Sequence, residues 1–196
     1  MKVELTHITP RAGETIANIA SLSHGNDAAR NPKKLLHLLK DLGHDSTFEH
    51  ITMTFKIEGM SRASFDQLRT HRLASFTARS QRHCDESTSE FVVPNSIKAH
   101  DVARDMYLKF LSKSVDFYGF LLRVGIPKED ARYILPIGIT TETYVTMNLR
   151  ELMHIKNLRT AEQAQWEVRE VVTEMVKWVC ESAPELAFLF EDDKEE

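Results

Sequence analysis

One short segment, residues 67–83, carries most of the side chains that could do chemistry on an anionic substrate. From Arg62 to His83 the chain has five arginines, two histidines and a single acid, Asp66, although its net charge is −4. An arginine presents its N–H donors in a planar fork that matches a phosphate group, and the serine and threonine hydroxyls between the arginines add donors. The segment therefore indicates a phosphate site, with a solvated helix face as the alternative interpretation.

The composition of the whole chain limits the class of protein that carries this site. The 196 residues, 42% hydrophobic and 28% charged, are expected to form a single domain spanning residues 1–196. No apolar run approaches the roughly 20 residues of a membrane span, and the N-terminus lacks the apolar stretch of a signal peptide. Cys84 and Cys180 match no metal or disulfide pattern, which favours a reduced, cytoplasmic compartment. A pI near 6 argues against wholesale nucleic-acid binding.

Binding of phosphate by a glycine-rich backbone is not indicated. The chain has only seven glycines, and it contains neither a dinucleotide-binding fingerprint after a strand nor a P-loop. Arginine side chains are therefore expected to hold any phosphate. A nucleophilic Cys84 beside His83 has nothing to position it, and His71, His83 and Cys84 lack the spacing of zinc ligands, so we expect no metal.

The elements that must position these residues are mostly helices. Period-two alternation predicts strands at residues 3–8 and 51–57, and a high content of threonine and β-branched residues predicts another at 137–147. Helical spacing predicts further helices at 14–22, 32–42, 97–124, 148–155 and 161–180. Ser61 is expected to cap a helix that reaches Arg72, followed by an irregular loop over 73–90. Because the strands do not alternate regularly with the helices, the pattern favours a helix-rich α+β fold with a small, mainly antiparallel sheet.

Further polar blocks extend the pattern of the basic segment. They occupy residues 43–50, 131–136, 148–152, 156–159 and 164–167. In this order and at these separations they resemble the flavin-dependent thymidylate synthases, whose signature is Arg-His-Arg, seven residues and then Ser. Here the signature reads Thr70-His71-Arg72, seven residues and then Ser80. The resemblance runs from about residue 44 to 167 and implies the fold of the thymidylate synthase complementing proteins.

The resemblance implies an enzyme that converts dUMP into dTMP. Methylenetetrahydrofolate would donate the carbon, NADPH would be the reductant and FAD would carry the hydride. The family forms homotetramers in which each active site lies where subunits meet. Its partners are small-molecule substrates, so neither a membrane nor a nucleic acid is expected.

The resemblance also assigns roles to individual residues. The positions that match dUMP ligands are Gln67, Arg79, Ser80, Gln81, Arg82, Arg132 and Arg159. The positions on or beside flavin contacts are Ser46, Thr70, His71, Arg72, Asn148, Arg150 and His154. Two residues are expected to be catalytic. Arg159 would stabilise negative charge that develops on the pyrimidine, and His44 would lie near the isoalloxazine.

Three positions depart from the family pattern. Thr70 replaces the first arginine of the signature, Ala78 replaces an acidic or amide residue, and His83 replaces a tyrosine. Adjacent residues of a helix point about 100° apart, so Arg69 is not expected to substitute for the missing arginine. Two alternative functions stay open: modification of another pyrimidine nucleotide, for example by hydroxymethyl transfer, and a non-catalytic homologue that binds a nucleotide or a nucleic acid.

Overall fold

The computed structural model describes residues 1–24 and 31–191. The strands are β1 Lys2–Ile8, β2 Thr52–Ser61, β3 Ser75–Ala78 and β4 Thr140–Asn148. The helices are α1 Ala12–His24, α2 Pro32–Asp41, α3 Arg62–Leu68, α4 Asn95–Lys98, α5 Asp101–Arg123, α6 Lys128–Ala131, α7 Leu149–Arg159 and α8 Trp166–Ser182. Short 3₁₀ helices lie at Asp45–His50, Arg132–Ile134 and Pro184–Phe190. Among the described helices, none has both the length and the apolar character needed to cross a bilayer.

The strands form one antiparallel sheet in the order β1-β2-β4-β3. The predicted α+β class with a small antiparallel sheet is therefore confirmed. Threonine side chains support the pairing: Oγ1 of Thr6 donates to the carbonyl of Thr54 at 3.0 Å, and the Oγ1 atoms of Thr54 and Thr146 lie 2.9 Å apart. Such cross-strand pairs stabilise a sheet beyond its backbone hydrogen bonds.

The chain divides into two compact units. The first comprises residues 1–2, 58–67 and 77–143, and the second comprises residues 3–57, 68–76 and everything described from 144 onward. Strands β1, β2, β3 and β4 each contribute residues to both units. A single domain spanning residues 1–196 remains a prediction.

The second unit is built around an apolar core that fixes the position of α7. Side chains of this core with almost no exposed surface are Ile16, Leu36, Phe48, Ile51, Phe55, Leu149, Leu152, Ile155, Val168 and Met175. Helix α7 packs against α8 and against the 3₁₀ helix Asp45–His50. Asn31 caps α2, accepting a hydrogen bond from the backbone N of Lys34 at 3.2 Å.

The first unit has a smaller core beside α5. Tyr118, Ala131, Leu135 and Ile139 are buried together. The hydroxyl of Tyr118 accepts a hydrogen bond from the backbone N of Glu86 at 3.3 Å, and the hydroxyl of Ser114 donates to the carbonyl of Ile134 at 2.6 Å. These contacts fasten the loop after β3 and the segment after α6 to the same helix.

The helix that follows β2 is shorter than predicted. Ser61 caps it as expected, because its Oγ accepts from the backbone N of Ser64 at 3.0 Å, but α3 ends at Leu68 and not at Arg72. The chain then turns, with the backbone N of His71 donating to the carbonyl of Leu68 at 3.2 Å. The prediction was wrong here because the side chain of His71 is buried against Arg159 and Glu151, which lie far away in the sequence, and local helical spacing does not contain such contacts.

The segment after Arg72 is not wholly irregular. Strand β3 adds to the sheet at its edge, and the hydroxyl of Thr143 donates to the carbonyl of Thr77 at 3.1 Å. The backbone N of Arg79 donates to the carbonyl of Glu142 at 2.8 Å. A short edge strand is held mainly by backbone hydrogen bonds, so it can form from a polar sequence. Residues 75–78 are too few to show a clear apolar alternation, and the strand was therefore not predicted.

Helix α5 shows that the apolar spacing of residues 97–124 predicted the helix but not its buried face. The helix begins at Asp101 after a break that follows α4. Its buried side chains are Leu111, Ser114 and Tyr118. The large apolar side chains exposed on it are Val102, Met106, Leu108, Phe110, Phe117 and Phe120.

Candidate active site

Arg159, at the end of α7, is held by the turn that follows α3. Its Nε donates a hydrogen bond to Nε2 of His71 at 2.9 Å, and its Nη2 donates to the hydroxyl of Thr70 at 3.0 Å. A guanidinium can only donate, so Nε2 of His71 must accept and the imidazole proton lies on Nδ1. Two residues of the signature therefore bind the arginine that was predicted to act on the pyrimidine.

His71 is a buried, neutral imidazole. Only 7% of its surface is exposed, and this burial, together with the charges of Arg159 and His154, lowers the pKa of His71 from 6.5 to about 4. Its Nδ1 faces the carboxyl of Glu151, whose Oε1 lies 3.6 Å away. Glu151 is 5% exposed, and burial raises the pKa of its carboxyl. Burial therefore disfavours the charged form of both groups that meet at this 3.6 Å separation.

The N-terminus of α7 is fixed by its own cap. The side-chain oxygen of Asn148 accepts from the backbone N of Glu151 at 2.8 Å, and the backbone N of Leu149 donates to the carbonyl of Ile51 at 2.8 Å. With its apolar side buried, the helix leaves Arg150 and His154 exposed, one turn apart. The ring of His154 meets the ring of His71 edge-on, with centroids 6.1 Å apart.

Arg150 links α7 to the 3₁₀ helix that carries Ser46. Its Nη1 lies 2.5 Å from Oε1 of Glu49, and its Nε lies 3.9 Å from Oδ2 of Asp45. These carboxylates raise the pKa of Arg150. His44 precedes this 3₁₀ helix, and its carbonyl accepts a hydrogen bond from the hydroxyl of Thr47 at 3.0 Å.

The predicted flavin-contact residues all lie in the second unit. They are distributed over the 3₁₀ helix Asp45–His50, the turn after α3 and the N-terminal half of α7. Within that unit, the structure brings His71, Thr70 and Arg159 into direct contact and places His154 beside them. Arg72 is exposed on the same turn.

The predicted dUMP ligands other than Arg159 lie in the first unit. Arg82 donates from both Nε and Nη2 to Oε2 of Glu129, at 2.9 Å in each case. Nε of Arg132 donates to the backbone carbonyl of the same Glu129 at 3.0 Å. Lys128 donates from Nζ to the carbonyl of His83 at 3.0 Å. Glu129 is thus the shared partner of two predicted dUMP ligands, Arg82 and Arg132.

The remaining predicted ligands of this unit lie on the loop after β3 and on α3. Nη2 of Arg79 donates to the carbonyl of Asp85 at 3.1 Å, and its Nε lies 3.4 Å from Oε1 of the buried Glu86. The hydroxyl of Ser80 accepts from the backbone N of Arg82 at 3.3 Å. Arg79 therefore stabilises the loop itself. Gln81 is half-buried, and Gln67 is exposed near the end of α3.

Sequence reasoning missed four residues that organise these clusters: Glu86, Lys128, Glu129 and Glu151. Only Glu151 left a detectable signal. It is an acid between Leu149 and Leu152 on the apolar side of α7, where a charged residue needs a buried partner. The other three lie in polar stretches where nothing separates them from ordinary surface residues.

A comparison with family models decides the affiliation of the chain. The model described as thymidylate synthase complementing protein matches residues 4–185. The chain belongs to the thymidylate synthase complementing protein family. The resemblance inferred from the polar blocks is confirmed, and the family match extends beyond them toward both ends.

Curated relatives of this family cover nearly the whole chain. A protein from Pyrococcus furiosus named flavin-dependent thymidylate synthase is 39% identical over 190 residues, which are 90% of this chain and 78% of that protein. A protein of the same name from Geobacter sulfurreducens is 38% identical over 195 residues, covering 94% of this chain and 84% of its own.

A solved structure has the same fold. It is the crystal structure of the UMP/dUMP methylase PolB from Streptomyces cacaoi with bound 5-Br dUMP. It aligns with a TM-score of 0.87 over 96% of this chain and 93% of its own, at 24% identity. At this identity the likeness to PolB shows that the family fold is shared.

Proposed function

We propose that this chain catalyses the reductive methylation of dUMP to dTMP. Methylenetetrahydrofolate is the carbon donor, NADPH the reductant and FAD the hydride carrier. The observation that carries this proposal is the identity of 38–39% over at least 90% of the chain with relatives named flavin-dependent thymidylate synthase. The relatives' names do not favour modification of another pyrimidine, and they do not favour a non-catalytic homologue.

Arg159 is the residue that acts on the pyrimidine in this proposal. Its guanidinium stabilises negative charge on the base, which makes C5 a better nucleophile without a nucleophilic protein side chain. Support comes from its fixed position: Nε and Nη2 are bound at 2.9 and 3.0 Å by His71 and Thr70. A donor that is already oriented stabilises developing charge without reorganising during the reaction.

Arg82 and Arg132 bind the 5′-phosphate of dUMP in this proposal. Both contact Glu129, Arg82 through its side-chain carboxylate and Arg132 through its backbone carbonyl. Lys128 adds a third cation beside them. The carboxylate of Glu129 binds the guanidinium of Arg82, and the dianionic phosphate would compete with it for that group. Gln67, Ser80 and Gln81 would complete the nucleotide contacts, while Arg79 contributes by holding the loop.

The chemistry of the side chains in the second unit fits a flavin dinucleotide. Arg72 and Arg150 present exposed guanidinium groups suited to a diphosphate, and the hydroxyl of Ser46 and the amide of Asn148 suit polar ribityl or ring atoms. His154 and His44 offer exposed imidazoles in the same unit. When bound, FAD would take a hydride from NADPH and pass it to the pyrimidine.

Self-association is the further part of the proposal. Phe110, Phe117 and Phe120 lie exposed on α5, and the rings of Phe117 and Phe120 stack with centroids 6.0 Å apart. An exposed apolar patch of this kind is typical of an interface between proteins. We propose that this surface of α5 contributes to a homotetramer. A cytoplasmic location remains a prediction.

The test of the function is an absorption spectrum followed by a turnover assay. The purified protein is measured before and after FAD and then dUMP, and dTMP is assayed with methylenetetrahydrofolate and NADPH. A flavin band that stays with the protein, shifts on dUMP and accompanies dTMP formation supports the proposal. A protein that retains no flavin and forms no dTMP would overturn it.

Arg159→Ala tests the assigned catalytic role. We expect dTMP formation to fall by about 10²–10³-fold, as when a donor to a developing anion is removed, while the flavin stays bound. Arg169→Ala is the matched control, because Arg169 lies in the same unit on α8 and donates to the carbonyl of Glu162. Turnover in Arg159→Ala at the level of this control would contradict the role.

A further inference from the structure

We propose that Glu151 and His71 are positioning residues for Arg159, with Glu151 orienting the imidazole that holds the guanidinium. This inference rests on the proposed function, because it assigns to His71 the task of aiming Arg159 at the pyrimidine. It gives a role to the buried carboxyl of Glu151, which is not among the residues assigned to substrate or flavin binding.

The contact between His71 and Arg159 needs one particular tautomer. Nε of Arg159 lies 2.9 Å from Nε2 of His71, and a guanidinium N–H can bond only to a nitrogen that carries a lone pair. The imidazole proton must therefore lie on Nδ1. If it moved to Nε2, two N–H groups would face each other and the arginine would lose this partner.

Glu151 is placed to fix that tautomer. Its Oε1 lies 3.6 Å from Nδ1 of His71, slightly beyond hydrogen-bond distance, and Nδ1 is the nitrogen that carries the proton because Nε2 accepts from Arg159. Both side chains are buried, at 5% and 7% exposure. A carboxyl can present an accepting oxygen to Nδ1–H in either protonation state of the acid, so this orienting role does not depend on its charge.

The geometry also explains why a third residue is needed between Glu151 and Arg159. The two residues are eight positions apart on α7, which separates them by about 12 Å along the helix axis. His71 comes from another element and lies between them. His71 therefore connects Arg159 to Glu151, which lies on the buried side of the same helix.

A direct flavin contact through the ring nitrogens of His71 is the competing interpretation. Nε2 is occupied by Arg159, and Nδ1 faces Glu151. A flavin could meet only the small exposed part of the ring. The two interpretations differ in their readout, because a flavin ligand affects cofactor retention, whereas a positioning residue affects turnover and dUMP binding.

Two substitutions of His71 separate its two nitrogens. In His71→Gln the amide oxygen lies near the place of Nε2 and can still accept from Arg159, whereas His71→Asn places its amide near Nδ1 and leaves Arg159 without this acceptor. We expect His71→Asn to lower dTMP turnover by about 100-fold, with His71→Gln clearly less affected, because a small displacement of a positioned group has an effect of this size. Flavin retention is expected to be unchanged in both.

Glu151 is tested by Glu151→Gln and Glu151→Leu. The amide of Gln can still accept from Nδ1–H, so Gln should retain more turnover than Leu, which removes the acceptor. Glu167→Gln is the control for the loss of a buried carboxyl in the same unit. Equal turnover in Glu151→Leu and the control would overturn the role of Glu151.

NMR of the imidazole nitrogens gives a readout that does not depend on activity. The signal of His71 is identified as the one that His71→Asn removes. In the wild-type protein we expect it to show the neutral Nδ1–H tautomer. In Glu151→Leu we expect the population of the Nε2–H tautomer to increase. An Nε2–H tautomer in the wild type, or equal turnover in His71→Asn and wild type, would overturn the inference. A wild-type protein that makes no dTMP but shows the Nδ1–H tautomer would refute the proposed function and leave the positioning contact supported.

Discussion

The hydroxyl of Thr70 lies 3.0 Å from Nη2 of Arg159 and accepts a hydrogen bond from it. Thr70 stands where the signature of the family has its first arginine. The neutral hydroxyl of Thr70 therefore occupies the place of a charged arginine side chain, and it contacts the charged side chain of Arg159. The departure at Thr70 is thus coupled to the position of Arg159.

Substitutions of Thr70 should follow its role as an acceptor. Thr70→Ser keeps the hydroxyl and should retain most of the dTMP turnover, whereas Thr70→Val, of similar shape, should lower it by about tenfold, the effect of losing one hydrogen bond to a charged group. Thr70→Arg, which restores the family residue, should lower turnover further because two guanidinium groups would repel each other. Steady-state assays of the three variants decide this. Higher turnover in Thr70→Arg would contradict the coupling.

Arg82 should discriminate between substrates with and without a phosphate. Arg82→Ala removes the guanidinium held by Glu129, so kcat/KM for dUMP should fall by about 10–100-fold, the range for a charge-assisted hydrogen bond. Binding of deoxyuridine, which has no phosphate, should not change, and calorimetric titration of both ligands measures the difference. Arg104→Ala on α5, whose guanidinium pairs with Asp101 at 2.9 Å, is the matched control. An equal loss for both ligands would show that Arg82 acts only through the fold.

The stability of the protein should depend on pH through His71. Its pKa is about 4 in the folded protein and 6.5 without burial, so the unfolded chain binds more protons between these values. The contribution of His71 to the free energy of unfolding is therefore full above pH 6.5 and falls by about 3 kcal/mol as the pH drops to 4. Glu151 has the opposite dependence, because its raised pKa favours the folded state at low pH.

Denaturant unfolding of wild type and His71→Gln between pH 4 and 7.5 isolates this contribution. The difference in the free energy of unfolding between the two proteins should change between pH 6.5 and pH 4. Arg159, His154 and Glu151 face the site in both proteins, so their contributions are expected to cancel in this difference. Parallel curves for the two proteins would mean that His71 is protonated as readily in the folded state as in the unfolded chain.

The exposed apolar face of α5 should support self-association. Phe117→Asp places a charge beside the stacked ring of Phe120, and we expect the assembly to dissociate into smaller species because a buried, unpaired carboxylate is unfavourable in an interface. Light scattering with size exclusion measures the mass. Leu38→Asp, at an exposed leucine of α2 in the other unit, is the control. An unchanged mass in Phe117→Asp would place the interface elsewhere.

The sequence by itself determined the local elements and the family. Four features could be found without a structure: the cap Ser61, the alternation that became β2, the β-branched segment that became β4, and the collinear polar blocks. They act through near neighbours or through residue identity. The residue types of the signature and of the polar blocks also led to the prediction of a site, in which a catalytic role for Arg159 remains a proposal.

Only the tertiary structure decided which side chains meet. Apolar periodicity predicted the helix over α5, yet the stripe that carries Phe117 is exposed and Tyr118 is buried, because burial depends on what packs against a helix and not on the helix alone. The contacts of Arg159 with His71, and of His71 with Glu151, join residues that are 88 and 80 positions apart. Such contacts are fixed by the packing of α7 against its core, which no local pattern encodes.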